Sequence, residues 1–297
     1  MTDTARFSSQ NGRAAAEMVF ASFSFATMSC VAHAYSSTFS WPLVALARIG
    51  ITWLLACLLL ACYRLPFLIR GTRELWWRSL CGSVGLTCTF YAVTHLPVTD
   101  QVTISATGPI WVTVILALVF RQRMPRSAWL HAALALTGVY VMYRPAFDAG
   151  SFPILVALLG AVAGAGAMVS LSLCNAIPNL SVVAHFSTCS SILCLGLCLF
   201  LPGDMVLKPT AGFLLWMGLV PMGVAGTAGQ VLITSAYGRG NPTMVALVGI
   251  SGIGFAAFYD VLVWGYAFDL WKIAGVLLIA AAIAMSILNN AGIRKPA

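Results

Sequence analysis

The sequence predicts an all-α integral membrane protein of ten transmembrane helices, arranged as two inverted five-helix repeats with both termini cytoplasmic. Three observations carry this prediction: charge too sparse for a water-facing surface, about ten continuous apolar runs, and a lopsided distribution of Lys and Arg. Of the 297 residues, 60% are apolar and 8% are charged, against about a quarter charged in an ordinary soluble domain. A water-soluble fold of this size cannot cover itself with so few charges. A bilayer as solvent removes the contradiction, because a helix crosses its hydrocarbon core in roughly 20 apolar residues. A transmembrane barrel would alternate over segments of ~10 residues, and the continuous runs exclude it.

In chain order, a polar cytoplasmic tail over 1–14 comes first; it shows no small-residue cleavage site of a signal peptide. Spans are expected at 15–36, 41–62, 79–97, 100–120, 128–143, 152–174, 180–201, 211–236, 242–263 and 270–289, with a second tail over 290–297. The fifth span is short and the third is rich in Gly, Thr and Cys, which suits interior packing. Turn formers separate the runs at Leu96-Pro97, Arg144-Pro145, Pro202-Gly203 and Gly240-Asn241-Pro242. The nine cysteines fall within apolar spans and form no C-x-x-C pair, so they are read as small apolar residues rather than as a disulfide or metal framework.

An even number of spans puts both termini on one side. On that side lie Arg6, Arg13, Arg64, Arg70, Arg73, Arg78, Arg121, Arg123, Arg126, Arg239, Arg294 and Lys295, against Arg144, Lys208 and Lys272 on the other. The positive-inside rule then makes the terminal side cytoplasmic. Asp100, Asp148, Asp204 and Asp269 fall opposite, in agreement. The net charge of +8 is thereby explained as a topology signal, and no nucleic-acid partner is expected.

Shifting the chain by 144 residues lays LPVTDQVTISATGPIWVTVILALVFRQ over NPTMVALVGISGIGFAAFYDVLVWGY, with Ala92 on Ala236 and Gly108 on Gly252. Spacing and hydropathy match better than identity does. Five spans per half is odd, so the repeat over 152–289 is inverted relative to that over 15–143, a plan that places transporter sites near the bilayer midplane.

The second span reads SWPLVALARIG. Farther on come FYAVTHLPVTDQVTISATGPIWVTVILALVFRQRMPRSAWLHAALALTGVYVMYRP and TSAYGRGNPTMVALVGISGIGFAAFYDVLVWGY. Together these resemble the paired EamA domains of the drug/metabolite transporter superfamily over roughly residues 15 to 290. The third to fifth spans are similar to the branch containing S-adenosylmethionine and riboflavin carriers. Where that family usually has a Gly-Glu pair at the end of the fourth and ninth spans, this chain has Arg121-Gln122 and Gly265-Tyr266, so both acids are missing. His33 stands near the place where the similar branch often carries a lysine.

Polar groups within spans are costly and mark functional positions. Arg48, deep in the second span, offers a bidentate fork to an anionic group of a solute; its structural alternative is pairing with backbone carbonyls or snorkelling to an interface. His33, in TMSCVAHAYSS, is read as mid-membrane, as a solute-binding residue that supplies hydrogen bonds and as a group able to change charge near neutral pH for proton coupling. Asp260, in the ninth span, is a second candidate for proton coupling, because burial raises a carboxyl pKa, unless it is solvated at the span's outer end. Gln230 is a mid-span hydrogen-bonding group, and Tyr91 and Trp111 are aromatic candidates for a pocket wall. Gly160, Gly164 and Gly166 suit close helix contact.

No P-loop, H-E-x-x-H or G-x-S-x-G is present, so no catalytic residue, cofactor or metal is assigned and an enzyme is not expected. The resemblance implies a multi-pass protein of the bacterial inner membrane. It implies secondary transport of a small polar or amphipathic metabolite (amino acid, nucleoside-like or vitamin-like) by alternating access. A non-transporting membrane partner or receptor on the same fold remains open, as does an intramembrane enzyme, which would need a His, Asp or Glu cluster that the sequence does not offer. The oligomeric state is left open.

Overall fold

The computed structural model describes residues 3–35, 39–68, 71–96, 98–144, 151–200, 217–265 and 270–290. Twelve helices lie among them: α1 (Asp3–Tyr35), α2 (Trp41–Tyr63), α3 (Arg73–His95), α4 (Val98–Ser105), α5 (Gly108–Leu118), α6 (Arg126–Tyr143), α7 (Ser151–Leu173), α8 (Asn179–Phe200), α9 (Leu219–Arg239), α10 (Pro242–Gly249), α11 (Ser251–Trp264) and α12 (Leu270–Asn290). No strand occurs among the described residues. Eight stretches are long and apolar enough to cross a membrane, with α4–α5 and α10–α11 each counted as one. Helices α3 and α6 cover the expected third and fifth spans but fall short of that composition. Part of the expected eighth span, 211–216, lies outside the described residues, as do Asp148, Asp204, Lys208, Asp269 and Tyr266.

Local signals set the helix ends. Ser40 precedes α2, with Pro42 in the first turn, where a missing N–H costs nothing. Thr72 caps α3 by accepting from the Leu75 N–H, and the Asn241 side chain caps α10 by accepting from the N–H groups of Thr243 and Met244. Among the described residues, three other than glycine take left-handed backbone at or just after a helix end: Arg64 (φ 52°), Arg121 (φ 51°) and Arg144 (φ 46°). Gly265 (φ +68°) does the same after α11 and, at the 144-residue shift, is the counterpart of Arg121.

The expected fourth and ninth spans are not continuous. The first breaks between α4 and α5 at Ala106-Thr107, the second between α10 and α11 at Ile250, and these breaks coincide under the same shift. Pro109 explains the first, because it has no N–H to continue the ladder. In the second, Gly249, Gly252 and Gly254 lower helix propensity around Ile250. Both breaks tighten into i→i−3 bonds, from Thr107 N to Ile104 O and from Ile250 N to Leu247 O, each 3.1 Å.

Glycines decide which helices touch. A Cβ on Gly85 of α3 would lie 3.0 Å from the Gly164 nitrogen of α7, and one on Gly160 would lie 2.9 Å from Cys88 Cβ. This is the close contact that the small-residue pattern predicts. A Cβ on Gly138 of α6 would lie 2.9 Å from the Gly275 carbonyl of α12. The main apolar cluster joins α1, α5, α7, α9 and α10 through residues such as Met18, Val112, Val169, Ile233 and Met244. Outside, Leu54, Leu58, Leu130, Leu155, Ile192, Leu199, Leu277 and Leu288 are exposed. An apolar surface of that extent is one that lipid covers.

Candidate functional site

A cavity of about 420 Å³ lies among α1, α3, α4, α5, α7, α9, α10 and α11, within the range of small-molecule sites. Both helix breaks open onto it, through Ser105, Ala106 and Gly108 on one side and Gly249, Ile250 and Gly252 on the other. The remaining wall is mostly small or apolar: Phe25 and Ala26 from α1, Gly160, Gly164 and Met168 from α7, and the buried Tyr237 from α9. Its polar side chains are Ser22, Ser29, Thr89, Gln101, Ser105 and the Tyr237 phenol. Backbone groups released by the breaks are partly engaged. Ser22 Oγ donates to the Gly249 carbonyl (3.3 Å), and Thr107 Oγ1 donates to the Ile104 carbonyl (2.6 Å).

The side chains singled out in the sequence fall in different places. Arg48 is buried in α2. Its guanidinium carbon stands 5.9 Å from the ring centre of Phe25, a cavity residue, and its Nε has no hydrogen-bond partner. Space for it comes from Gly226 of α9, where a Cβ would lie 3.2 Å from Nε. Gln230, one turn beyond Gly226, is also buried, and its Nε2 is likewise unpartnered. Arg48 on α2 thus meets Phe25 of α1 and Gly226 of α9 behind the cavity wall, with Gln230 one turn farther along α9. Trp111 sits at the first break, its indole N–H donating to Thr107 Oγ1 (3.1 Å).

Tyr91 lies toward the end of α3, stacked on His95 at 3.9 Å and edge-on to Trp41 at 5.9 Å, away from the cavity lining. His33 is exposed in the last turn of α1, not at mid-membrane depth as the local sequence suggests. The reason is position along the span: His33 stands three residues from the end of the expected span 15–36 and two from the end of α1, whose extra turns lie before residue 15. Asp260 is on α11, and its side chain lies outside the described residues.

The structure also buries polar groups that the sequence did not single out as interior, Arg78 and His185 among them. Arg78, counted there among the terminal-side charges, is the largest fully buried side chain of the described residues. It packs over the Phe186 ring at 4.3 Å. The signal for it was Gly82, one turn farther along the same helix, which leaves room for a guanidinium. His185 of α8 is buried and hydrogen-bonds Ser79 Oγ through Nδ1 (2.7 Å), beside Ser83–Ser190 (2.8 Å). Glu17 lies inside α1 and pairs with Arg239 in the last turn of α9. No cluster of His, Cys, Asp and Glu suited to a metal occurs among the described residues.

Comparison with known proteins places this geometry. The profile of the EamA-like transporter family matches residues 14–144. A pseudopaline exporter of Pseudomonas aeruginosa is 30% identical over 272 residues, covering 90% of this chain and 94% of that protein. An uncharacterized transporter of Helicobacter pylori is 25% identical over 206 residues, 68% of this chain and 65% of its own. One solved crystal structure superposes with a TM-score of 0.79 at 15% identity, covering 94% of this chain and 98% of that one, a likeness of fold alone.

Proposed function

The chain belongs to the EamA-like transporter family, as a multi-pass inner-membrane transporter of a small metabolite, and from that premise we propose that it is a secondary exporter working by alternating access. The observation that carries this reading is the cavity bounded by two interrupted helices at equivalent positions of the two halves. Paired broken helices are the usual setting of a transporter site, since their free backbone groups and half-helix N-termini face the solute. The same coincidence supports ten spans, with α3 and α6 completing the first half, and two inverted repeats over 15–143 and 152–289. The charge asymmetry supports cytoplasmic termini. Moving Arg78 out of that tally leaves the asymmetry intact.

In this reading the solute is a small polar or amphipathic metabolite related to pseudopaline. Arg48 binds an anionic group that enters past Phe25, Gln230 supplies hydrogen bonds, and Trp111 steadies the first break. Tyr91 contributes to an aromatic rim at the end of α3. Proton coupling is assigned to Asp260 and His33, and a pH gradient tests it. No catalytic role is proposed for any residue.

The test is solute flux in proteoliposomes holding the folded protein, with pseudopaline, amino acids, S-adenosylmethionine and riboflavin as probes, with and without a pH gradient. Saturable flux of one of them is expected, and acceleration by the gradient supports coupling. Saturable flux indifferent to pH removes the coupling and leaves a facilitator or exchanger. Absence of flux for every probe would favour the non-transporting partner on the same fold.

A further inference from the structure

We propose that Arg78 is a second anion-binding residue and that, with Arg48, it selects a solute carrying two anionic groups, one for each guanidinium. The proposal rests on the transporter reading and deepens it by naming the solute's charge class. Arg78 is 1% exposed and Arg48 6%, so neither guanidinium is hydrated by bulk water. Neither is neutralised by an ion pair among the described residues, where the pair found is Arg239 with Glu17. Arg78 has two nitrogens, Nε and Nη1, without a hydrogen-bond partner, and Arg48 has Nε. A structural arginine in an apolar interior normally satisfies its donors with carbonyls or carboxylates, because an unpaired buried charge is strongly disfavoured. Here aromatic rings supply the contacts instead, Phe186 for Arg78 and Phe25 for Arg48, and the donors stay open.

The two residues belong to one compartment. Ala45 and Ile49, which flank Arg48 on α2, pack in one cluster with Leu86 of α3 and with Phe186 and Cys194 of α8. Phe186, which carries Arg78, and Cys194, in the same cluster, stand about 12 Å apart along α8 by the helical rise, so the compartment that the two arginines share is elongated. An anionic group at each guanidinium would neutralise it and fill its open donors with charge-assisted bonds. A compact monoanion serves one guanidinium, whereas an elongated dianion serves both.

The experiment measures thermal stabilisation of the detergent-purified protein by α,ω-dicarboxylates of four to eight carbons and by monocarboxylates of equal length. The wild-type protein is expected to bind the best dicarboxylate at least about tenfold more tightly than its monocarboxylate counterpart. Arg78→Gln should weaken the dicarboxylate by about ten- to a hundredfold and leave the monocarboxylate within about twofold. Should Arg78→Gln not purify folded, Gly82→Ala gives the same readout with the charge retained, because its Cβ would occupy the place of Arg78 Nη1. A structural role alone would lower stability without moving the ratio of the two affinities. A wild-type ratio near unity, or one unchanged in the variants, overturns the proposal. Solute flux that persists in proteoliposomes under either of those results leaves the transporter reading standing.

Discussion

Replacing Arg48 by Met should separate a binding cation from a structural one, because the two roles predict opposite signs. The guanidinium is buried, unpaired by any acid among the described residues, and near a single aromatic ring at 5.9 Å. Placing an arginine at the centre of a membrane helix costs ~2.5–3.5 kcal/mol on insertion scales. A cation–π contact at the edge of its range offsets only ~0.5 kcal/mol. Methionine keeps most of the apolar stem beside Met28 and Gly226. Arg48→Met should therefore stabilise the empty protein by about 2–3 kcal/mol. The same change removes a charge-assisted hydrogen bond to the solute, worth about 1.5–3 kcal/mol, so binding should weaken by roughly ten- to a hundredfold. Thermal unfolding in detergent without solute reads the first effect. The KM of saturable flux in proteoliposomes reads the second. A variant that is less stable than wild type and transports with an unchanged KM would refute the reasoning and make Arg48 a packing residue.

Three further outcomes follow from the backbone geometry. Gly275→Ala should destabilise by about 1–3 kcal/mol in unfolding titrations, since its Cβ would lie 2.6 Å from the Gly138 carbonyl and from Met142 Cβ. Gly254→Ala, with nothing within 4 Å, should be neutral or stabilising, and equal losses in the two variants would dismiss the α6–α12 contact. Arg121→Gly should stabilise by about 1 kcal/mol, and Gly265→Ala should destabilise by about as much, because both positions have left-handed backbone. Thermal unfolding of the two variants checks the pair of signs. Glu17→Gln should cost at most about 1 kcal/mol, less at high salt, as its partner Arg239 has a side chain 42% exposed; a larger loss by the same assay would mean that the pair holds α1 to α9.

Membrane residence, helical class and family were legible in the sequence because they depend on summed properties. Hydropathy over ~20 residues reports solvent without regard to partners, and the proline and glycine punctuation separated most helices near their observed ends. The 144-residue shift, drawn from spacing where identity was slight, brings the two helix breaks onto each other. The helix breaks were harder to see. Pro109 announces one, but the other depends on glycines whose weak propensity only tertiary contacts such as Ser22 on Gly249 convert into a break. Residue depth was harder still. His33 lies among small and hydroxyl residues that resemble an interior, yet it stands in the exposed last turn of α1.

By itself, then, the sequence determined that this chain lives in lipid and crosses it as helices. Composition and period suffice for those properties because each residue contributes independently of its neighbours in space. Only the tertiary structure decided which polar groups are buried and against what. Arg48 is interior because Gly226 admits it between α2 and α9, and Arg78 is interior because Gly82 and Phe186 make a slot for it. A charge counted along the chain looks the same at a membrane surface and in a core. The packing of other helices around it makes the difference.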